Sequence, residues 1–377
     1  MYSLVKKEMK GMDEKKVPRN GLIDVMRLGF AVLIMMYHFY SNGKKHFPGG
    51  FLGVEFFVIL AGFLMFSAWE RHQVSGLPLD KRQQYWLGCM KKRYIKFFWY
   101  NLIAFVMVFL AGRIWCDQVH SVVGISDALS EDVWEILLVN MSGLNRGKYP
   151  LNVPAWTMSC ILFAEFFMLG MLAFFGKPFI SLLMPLSLVA GIGYWANLKD
   201  ASLRFFHTFF TFGVLRIYIL TCCGILTYWI CQKIKAVPFS AIGRWVLTGA
   251  ELTGYTVCVL IALYRSSIYY LFCFVLVATL VLAVSFSGKS FAGSMLPANR
   301  LTYFCAELSL SLYLTHWTVL KVFQQLFQDP NELYRQKFVF LCCALAAALG
   351  YTYIMRGVFK MLPIVKEKLK RVMLERP

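Results

Sequence analysis

Arg27 and His38 are the first residues of this sequence whose types and spacing could support chemistry. They lie eleven positions apart in one apolar segment. On an α-helix, that separation corresponds to a rise of about 16 Å and a change of direction of about 20°, so both side chains lie on one face. An imidazole can act as a general base, and a guanidinium can stabilise developing negative charge. The alternative is an arginine that extends to one membrane surface and a histidine at the other.

Two further apolar segments carry groups that could complete such a site. Glu55 lies near the start of one segment, and a carboxylate beside an imidazole can orient it and raise its basicity. His316 follows a polar cluster that includes Tyr313 and Thr315. If the segments are helices, Glu55, His316 and His38 lie at similar depth, which favours a shared site. The alternative for Glu55 is an interfacial carboxylate that faces water.

Glu165 and Arg216 lie well inside apolar segments. A charged side chain at the centre of a membrane helix costs about 2.5–3.5 kcal/mol, so each must have a polar environment. We expect them either to pair with each other or to line a polar cavity. A purely structural ion pair is the alternative.

Arg93 and Lys96 end a basic stretch just before a further apolar segment. Because they are three residues apart, they share one helix face and could together hold phosphate groups. The alternative is a basic flank that only sets the orientation of the helix in the membrane.

These side chains must be positioned by helices that cross a bilayer. Of the 377 residues, 59% are hydrophobic and 16% are charged, whereas an ordinary soluble domain has about 25% charged residues. A spanning helix needs roughly 20 apolar residues, and segments of this length recur along the chain. We predict an all-α polytopic membrane helix bundle with about ten transmembrane helices. The predicted spans are approximately 22–40, 50–68, 97–115, 155–175, 178–197, 207–230, 244–263, 267–286, 303–327 and 338–358.

The distribution of basic residues predicts the orientation of the bundle. One alternate set of connections holds 25 lysines and arginines and the opposite set holds 9, which places both termini in the cytoplasm. The loop 116–154, with several acidic residues, is then external. We predict a single membrane domain over 1–377, comprising a cytoplasmic segment 1–21, a bundle 22–358 and a basic cytoplasmic tail 359–377.

Charge and cysteine content argue against two other classes of protein. The net charge of +19 would suggest nucleic acid binding in a soluble protein, but here the basic residues flank apolar segments, where they meet lipid headgroups. The eleven cysteines show no spacing typical of zinc sites. We therefore predict a lipid bilayer partner, no nucleic acid and no metal.

Several of these residues belong to motifs that resemble those of acyltransferase family 3, whose members are mostly bacterial membrane O-acyltransferases of surface glycans. The motifs occur in the order of that family. They are Ile23-Asp24-Val25-Met26-Arg27 with His38, the run Gly53–Phe63, Arg93-Tyr94-Ile95-Lys96, Pro154-Ala155-Trp156-Thr157-Met158-Ser159 and Ser311-Leu312-Tyr313-Leu314-Thr315-His316-Trp317.

The chain departs from the family pattern at three points. Lys96 replaces a second arginine, which keeps the charge but loses the fork of donors. Glu55 replaces an aspartate. Residues Cys160–Phe163 stand where many members have an acidic sequence after the tryptophan segment.

The resemblance implies transfer of an acyl group, chiefly acetyl from cytoplasmic acetyl-CoA, to a hydroxyl of an extracytoplasmic polysaccharide or glycolipid. It implies a multi-pass protein of the plasma or inner membrane. In this interpretation His38 is the catalytic base, Glu55 orients it, and His316 is a second polar contact. Arg27 stabilises a thioester oxyanion or a CoA phosphate.

The remaining site residues come from the same motifs and from the charged groups inside the apolar segments. Arg93 and Lys96 are predicted to bind the CoA. The predicted substrate-binding residues are Trp156, Ser159, Glu165, Arg216 and Tyr313. A transporter or flippase for a glycan or a lipid-linked substrate is the alternative function, and paired inverted repeats, which would favour it, are not evident in the sequence.

The asymmetry of basic residues generates a prediction about topology. Single cysteines placed at Lys81 and Asp132 should react with a membrane-impermeant thiol reagent from opposite sides of the membrane, Lys81 from the cytoplasm and Asp132 from outside. A background variant without accessible cysteines is the control. Labelling of both positions from one side would overturn the orientation, and with it the cytoplasmic location of the donor.

Overall fold

Helices account for most of the described chain. The computed structural model describes residues 19–41, 44–111, 136–137, 151–196, 212–265 and 267–374. This part contains ten helices of thirteen residues or more. They are α1 (Gly21–His38), α2 (Gly53–Arg71), α3 (Leu79–Phe109), α4 (Trp156–Phe175), α5 (Met184–Ala196), α6 (Phe212–Ala236), α7 (Ala241–Tyr264), α8 (Ile268–Ser287), α9 (Arg300–Leu326) and α10 (Lys337–Leu374).

The connections contain short elements only, as far as the chain is described. They are an antiparallel pair of two-residue strands, Tyr40–Ser41 and Lys44–Lys45, the 3₁₀ turns Gly50–Leu52, Val74–Gly76 and Val153–Ala155, a π turn Phe179–Leu183, and the short helices Ala292–Met295 and Pro330–Arg335. The structure therefore confirms the all-α membrane bundle that the sequence predicts.

Seven of the described helices, all except α3, α5 and α9, are long and apolar enough to cross a membrane. The predicted count of ten spans is not confirmed. Helix α5 has only thirteen residues, and α3 and α9 carry charged residues along their length.

Two helices extend beyond the predicted spans, and a third span is divided between two helical elements. Helix α3 begins at Leu79 rather than at residue 97. The basic residues before residue 97 can be solvated without leaving the helix, so most of the predicted connection is helical. Helix α10 continues to Leu374, well beyond residue 358. The predicted span 178–197 starts with a π turn that precedes α5. The loop 116–154, apart from 136–137 and 151–154, lies outside the described residues.

Two glycines allow α2 and α6 to approach closely. A Cβ atom on Gly62 of α2 would lie 2.7 Å from the carbonyl oxygen of Thr221, and one on Gly224 of α6 would lie 2.6 Å from the amide nitrogen of Phe63. Both distances are too short for any side chain. This backbone contact holds the start of α2 against the start of α6, where Glu55 and Arg216 lie.

Helices α1 and α9 pack side by side through a second apolar cluster. Ala31 and Met35 of α1 lie against Leu308 and Leu312 of α9, and all four are buried. The start of α1 is fixed independently. Asn20 caps it by accepting a hydrogen bond from the amide of Leu22 at 2.9 Å, and its side-chain nitrogen donates to the carbonyl of Ser285 at 3.0 Å. This arrangement brings the C-terminal end of α1 to the middle of α9.

The close approach of α2 and α6 generates a prediction about stability. Gly62→Leu forces the two backbones apart and should destabilise the fold by about 1–3 kcal/mol or more, as overpacking does elsewhere. Gly249→Leu on α7 is the matched control, because a Cβ there meets nothing within 4 Å. Thermal unfolding of both variants in detergent measures the difference. Equal unfolding midpoints would contradict the contact.

Candidate active site

The structure places the imidazoles of His38 and His316 against each other. Their ring centroids are 5.3 Å apart and the rings are inclined by 26°, a stacked arrangement. The ring of Trp317 meets His38 edge-on at 5.4 Å. His38 is the last residue of α1 and His316 lies within α9. The packing of these two helices therefore brings together two histidines that are 278 residues apart in the sequence.

The hydrogen bond of His316 determines which of its nitrogens is basic. Its Nδ1 atom lies 3.1 Å from the carbonyl oxygen of Leu312. A carbonyl only accepts hydrogen bonds, so Nδ1 carries the proton and Nε2 carries the lone pair in the neutral ring. Nε2 is buried and has no hydrogen-bond partner among the described residues. A buried lone pair of this kind is available to a substrate proton.

Glu55 forms an ion pair with Arg216 of α6. Both side chains are almost completely buried, with 0% and 3% of their surfaces exposed. The guanidinium of Arg216 also lies 5.8 Å from the ring of Phe51 and close enough to Tyr37 and Tyr313 for electrostatic interaction. Glu55, which the sequence assigns to His38, thus has an arginine partner that the sequence does not reveal.

Glu165 of α4 pairs with Arg93 of α3. Glu165 is 1% exposed, so Arg93 supplies the countercharge for a buried carboxylate. Of the two arrangements expected for Glu165 and Arg216, direct pairing is wrong, because each pairs with a different residue. Arg93 is itself partly exposed, so its guanidinium bridges the buried carboxylate and the surface of the bundle.

Arg27 and Lys96 lie together near the opposite end of α1 from His38. Lys96 lies within electrostatic range of Arg27, Arg93 and Glu307. The Nη1 atom of Arg27 is 3.8 Å from Oδ1 of Asp24, and its Nε atom is buried without a hydrogen-bond partner among the described residues. The N-terminal half of α1 therefore lies beside several basic residues and two carboxylates.

The Pro-Ala-Trp segment before α4 packs against α9 one turn from His316. The hydroxyl of Tyr313 donates to the carbonyl of Pro154 at 2.9 Å and lies 2.7 Å from Oγ1 of Thr157. The amide of Asn152 donates to the carbonyl of Leu314 at 3.2 Å. Thr157 lies within the tryptophan motif but was not assigned to the site from the sequence, and Asn152 could have been indicated only by its position beside that motif.

The other two predicted substrate-binding residues are Trp156, which ends this segment, and Ser159, which follows it. Ser159 is fully buried in α4, whereas Trp156, at the first position of α4, is half-buried. Trp156 lies on the segment that contacts Tyr313.

Two aromatic side chains contact His46, which lies eight residues after His38 in the chain. The ring of His46 stacks on Tyr334 at 4.9 Å and lies 5.6 Å from Phe39. Burial, together with the nearby charge of Lys337, lowers the pKa of His46, so this imidazole is neutral at pH 7. The end of the bundle that carries the histidines thus has an aromatic border.

The buried ion pair between Glu55 and Arg216 generates a prediction. Removal of one member leaves the other charge buried and unpaired, which costs about 3–5 kcal/mol. Glu55→Gln and Arg216→Met should each lower the unfolding midpoint of the purified protein strongly. The double variant should unfold at a higher temperature than the sum of the two losses indicates, because no buried charge remains. If the lowering of the unfolding midpoint in the double variant equals the sum of the two single effects, the ion pair is not formed.

Comparison with known proteins gives one result. The family model described as an acyltransferase domain matches residues 20–357. No curated protein and no solved structure shows a significant match to the chain. The matched region begins at the N-cap of α1 and includes all ten helices named above up to residue 357 of α10. The chain therefore belongs to acyltransferase family 3.

Proposed function

We propose that this multi-pass membrane protein is an O-acetyltransferase of the plasma or inner membrane. It transfers acetyl from cytoplasmic acetyl-CoA to a hydroxyl of an extracytoplasmic polysaccharide or glycolipid. The observation that carries the proposal is the stacked pair of His38 and His316, because it places two imidazoles, the side chains best suited to take a proton from a hydroxyl at neutral pH, in one place. The match to the acyltransferase family supports the reaction class.

The chemistry needs one proton acceptor and one proton donor. The acceptor hydroxyl is a poor nucleophile at neutral pH, so an imidazole must take its proton as the oxygen attacks the thioester carbonyl. His38 is the proposed base. When the tetrahedral intermediate collapses, the carbon–sulfur bond breaks and the imidazolium returns the proton to the CoA thiolate. The acetyl ester and CoA thiol are the products, and the base is regenerated.

The neighbouring residues would position the base rather than react. The ion pair of Glu55 and Arg216 fixes the start of α2 beside α6, next to Tyr37, which precedes His38 in α1. Tyr313 is held by the Pro154 segment, one turn from His316. The stacked His316 ring limits the orientations open to His38.

The two ends of α1 suit the two substrates. Its 18 residues extend over about 27 Å, with Arg27 and Lys96 toward the end predicted to be cytoplasmic. Phosphate groups are recognised by arginine and lysine, so the donor fits this basic end. The acceptor would approach the histidines from the other end, where the aromatic rings of Trp317 and Tyr334 can pack on a sugar.

The role of His38 generates a prediction about rate. General base catalysis is worth about 10²- to 10⁴-fold, so His38→Ala should lower kcat by that factor. The measurement is release of the CoA thiol from acetyl-CoA by purified protein with a glycan acceptor. His72→Ala is the matched control, because His72 follows the last residue of α2 and contacts Tyr85 rather than the site.

Two outcomes would contradict the proposal. A stably folded His38→Ala variant that transfers acetyl at the wild-type rate would exclude His38 as the base. Movement of a glycan substrate across vesicle membranes without any use of the thioester would favour the transporter.

Loss of O-acetyl groups from surface polysaccharide when the gene is deleted would support the proposed acceptor class.

A further inference from the structure

A cavity lies at the end of the bundle away from the two histidines. Its volume is about 580 Å³. The start of α1, the start of α9 and the middle of α10 meet there. Its lining consists of Arg19, Ala298, Asn299, Arg300, Tyr303, Phe304 and Arg356.

The lining of this cavity has an excess of positive charge. It contains three arginines and no acidic residue. Two of them have acidic partners behind the cavity wall, since Arg19 pairs with Asp24 at 2.8 Å and Arg356 pairs with Glu307. Arg300 forms no ion pair within the described part of the chain. The cavity therefore keeps an uncompensated guanidinium at its exposed edge.

Aromatic rings hold the other two guanidinium groups in place. The Cζ atom of Arg19 lies 4.1 Å from the centre of the Tyr303 ring, and that of Arg356 lies 5.4 Å from the Phe304 ring. Stacking on a ring and an ion pair together restrict each side chain, so little conformational freedom remains to be lost on binding. Guanidinium groups arranged in this way suit the bidentate hydrogen bonds of phosphate oxygens.

Basic residues continue from the cavity into the bundle. Asp24, the partner of Arg19, is also 3.8 Å from Arg27. Glu307, the partner of Arg356, lies within electrostatic range of Lys96. The cavity is thus the outermost part of one basic region that leads along α1 toward His38.

We infer that this cavity binds the phosphate-bearing nucleotide end of the acyl-CoA donor, an inference that rests on the proposed function. A CoA thioester carries its phosphates at one end of a long flexible arm and its reactive carbonyl at the other. The arginines and the histidine pair lie at opposite ends of α1, which matches this separation. The side-chain oxygen of Asn299 accepts hydrogen bonds from the amides of Leu301 and Thr302 and so fixes the start of α9 beside the arginines.

Arg300→Ala tests the inference without removing a partner from any acidic residue. Hydrogen bonds to charged groups contribute about 1.5–3 kcal/mol, so the variant should bind CoA about tenfold more weakly or worse. Titration calorimetry with CoA on the purified full-length protein measures this change. The KM for acetyl-CoA should rise by a similar factor while kcat is unchanged. Lys233→Ala is the control, because Lys233 is exposed near the end of α6 and does not line the cavity.

A phosphate-free donor separates this site from the reaction itself. S-acetylpantetheine lacks the nucleotide, so its use should be equally efficient in the wild type and in Arg300→Ala. Wild-type transfer together with unchanged CoA affinity in Arg300→Ala would overturn the inference and leave the proposed function intact. Failure of the wild type to use any thioester would instead overturn the proposed function.

Anionic lipid headgroups also carry phosphate and could bind the same arginines. A change in bilayer composition distinguishes a lipid site from a CoA site. In nanodiscs of phosphatidylcholine alone, the loss of CoA affinity in Arg300→Ala should persist. If the loss appears only in nanodiscs that contain phosphatidylglycerol, the cavity is a lipid site and the inference is wrong. Equal unfolding midpoints of the wild type and the variant would show that the change in affinity does not come from misfolding.

Discussion

The ion pair between Glu55 and Arg216 joins two helices inside an apolar bundle, and much of the proposed site depends on it. A single buried charge in such surroundings would be costly, whereas a pair is tolerated if the two groups meet. They meet because Gly62 and Gly224 let the α2 and α6 backbones come into contact. Arg216 in turn lies near Tyr37, the neighbour of His38, and near Tyr313, one turn from His316. The pair therefore links the packing of the bundle to the position of both histidines.

The ion pair between Arg93 and Glu165 forms for the same reason, because a buried carboxylate needs a countercharge. It joins α3 to α4 and neutralises a carboxylate that is 1% exposed. Of the two residues in the Arg-x-x-Lys motif, Lys96 is the one whose surroundings remain basic, since Arg27 is within its electrostatic range. Arg93 therefore has a buried acidic partner, whereas Lys96 has charged neighbours of both signs.

The proposed function places proton transfer and phosphate recognition at different ends of α1. The imidazoles of His38 and His316 lie at the C-terminal end of this helix, and the arginine-lined cavity lies at its N-terminal end. Proton transfer is favoured in a buried, low-dielectric place, whereas phosphate recognition needs fixed positive charge near the membrane surface. Helix α1 sets the distance between the histidines and the cavity, because each of its residues adds a rise of about 1.5 Å. The proposed transfer of an acyl group from one side of the membrane to the other uses this separation.

The sequence by itself determined the all-α membrane bundle, because hydropathy and helical periodicity are local properties of the chain. It also identified His38, Glu55 and His316 as unusual groups, since ionisable residues in apolar segments are costly wherever the segments lie. Only the tertiary structure decided the partners. Glu55 and Arg216 are 161 residues apart, and Arg93 and Glu165 are 72 apart. The arginine-lined cavity draws its residues from positions 19, 298–304 and 356, which are far apart in the chain. Which helices become neighbours depends on how their surfaces fit, and no local pattern encodes that fit.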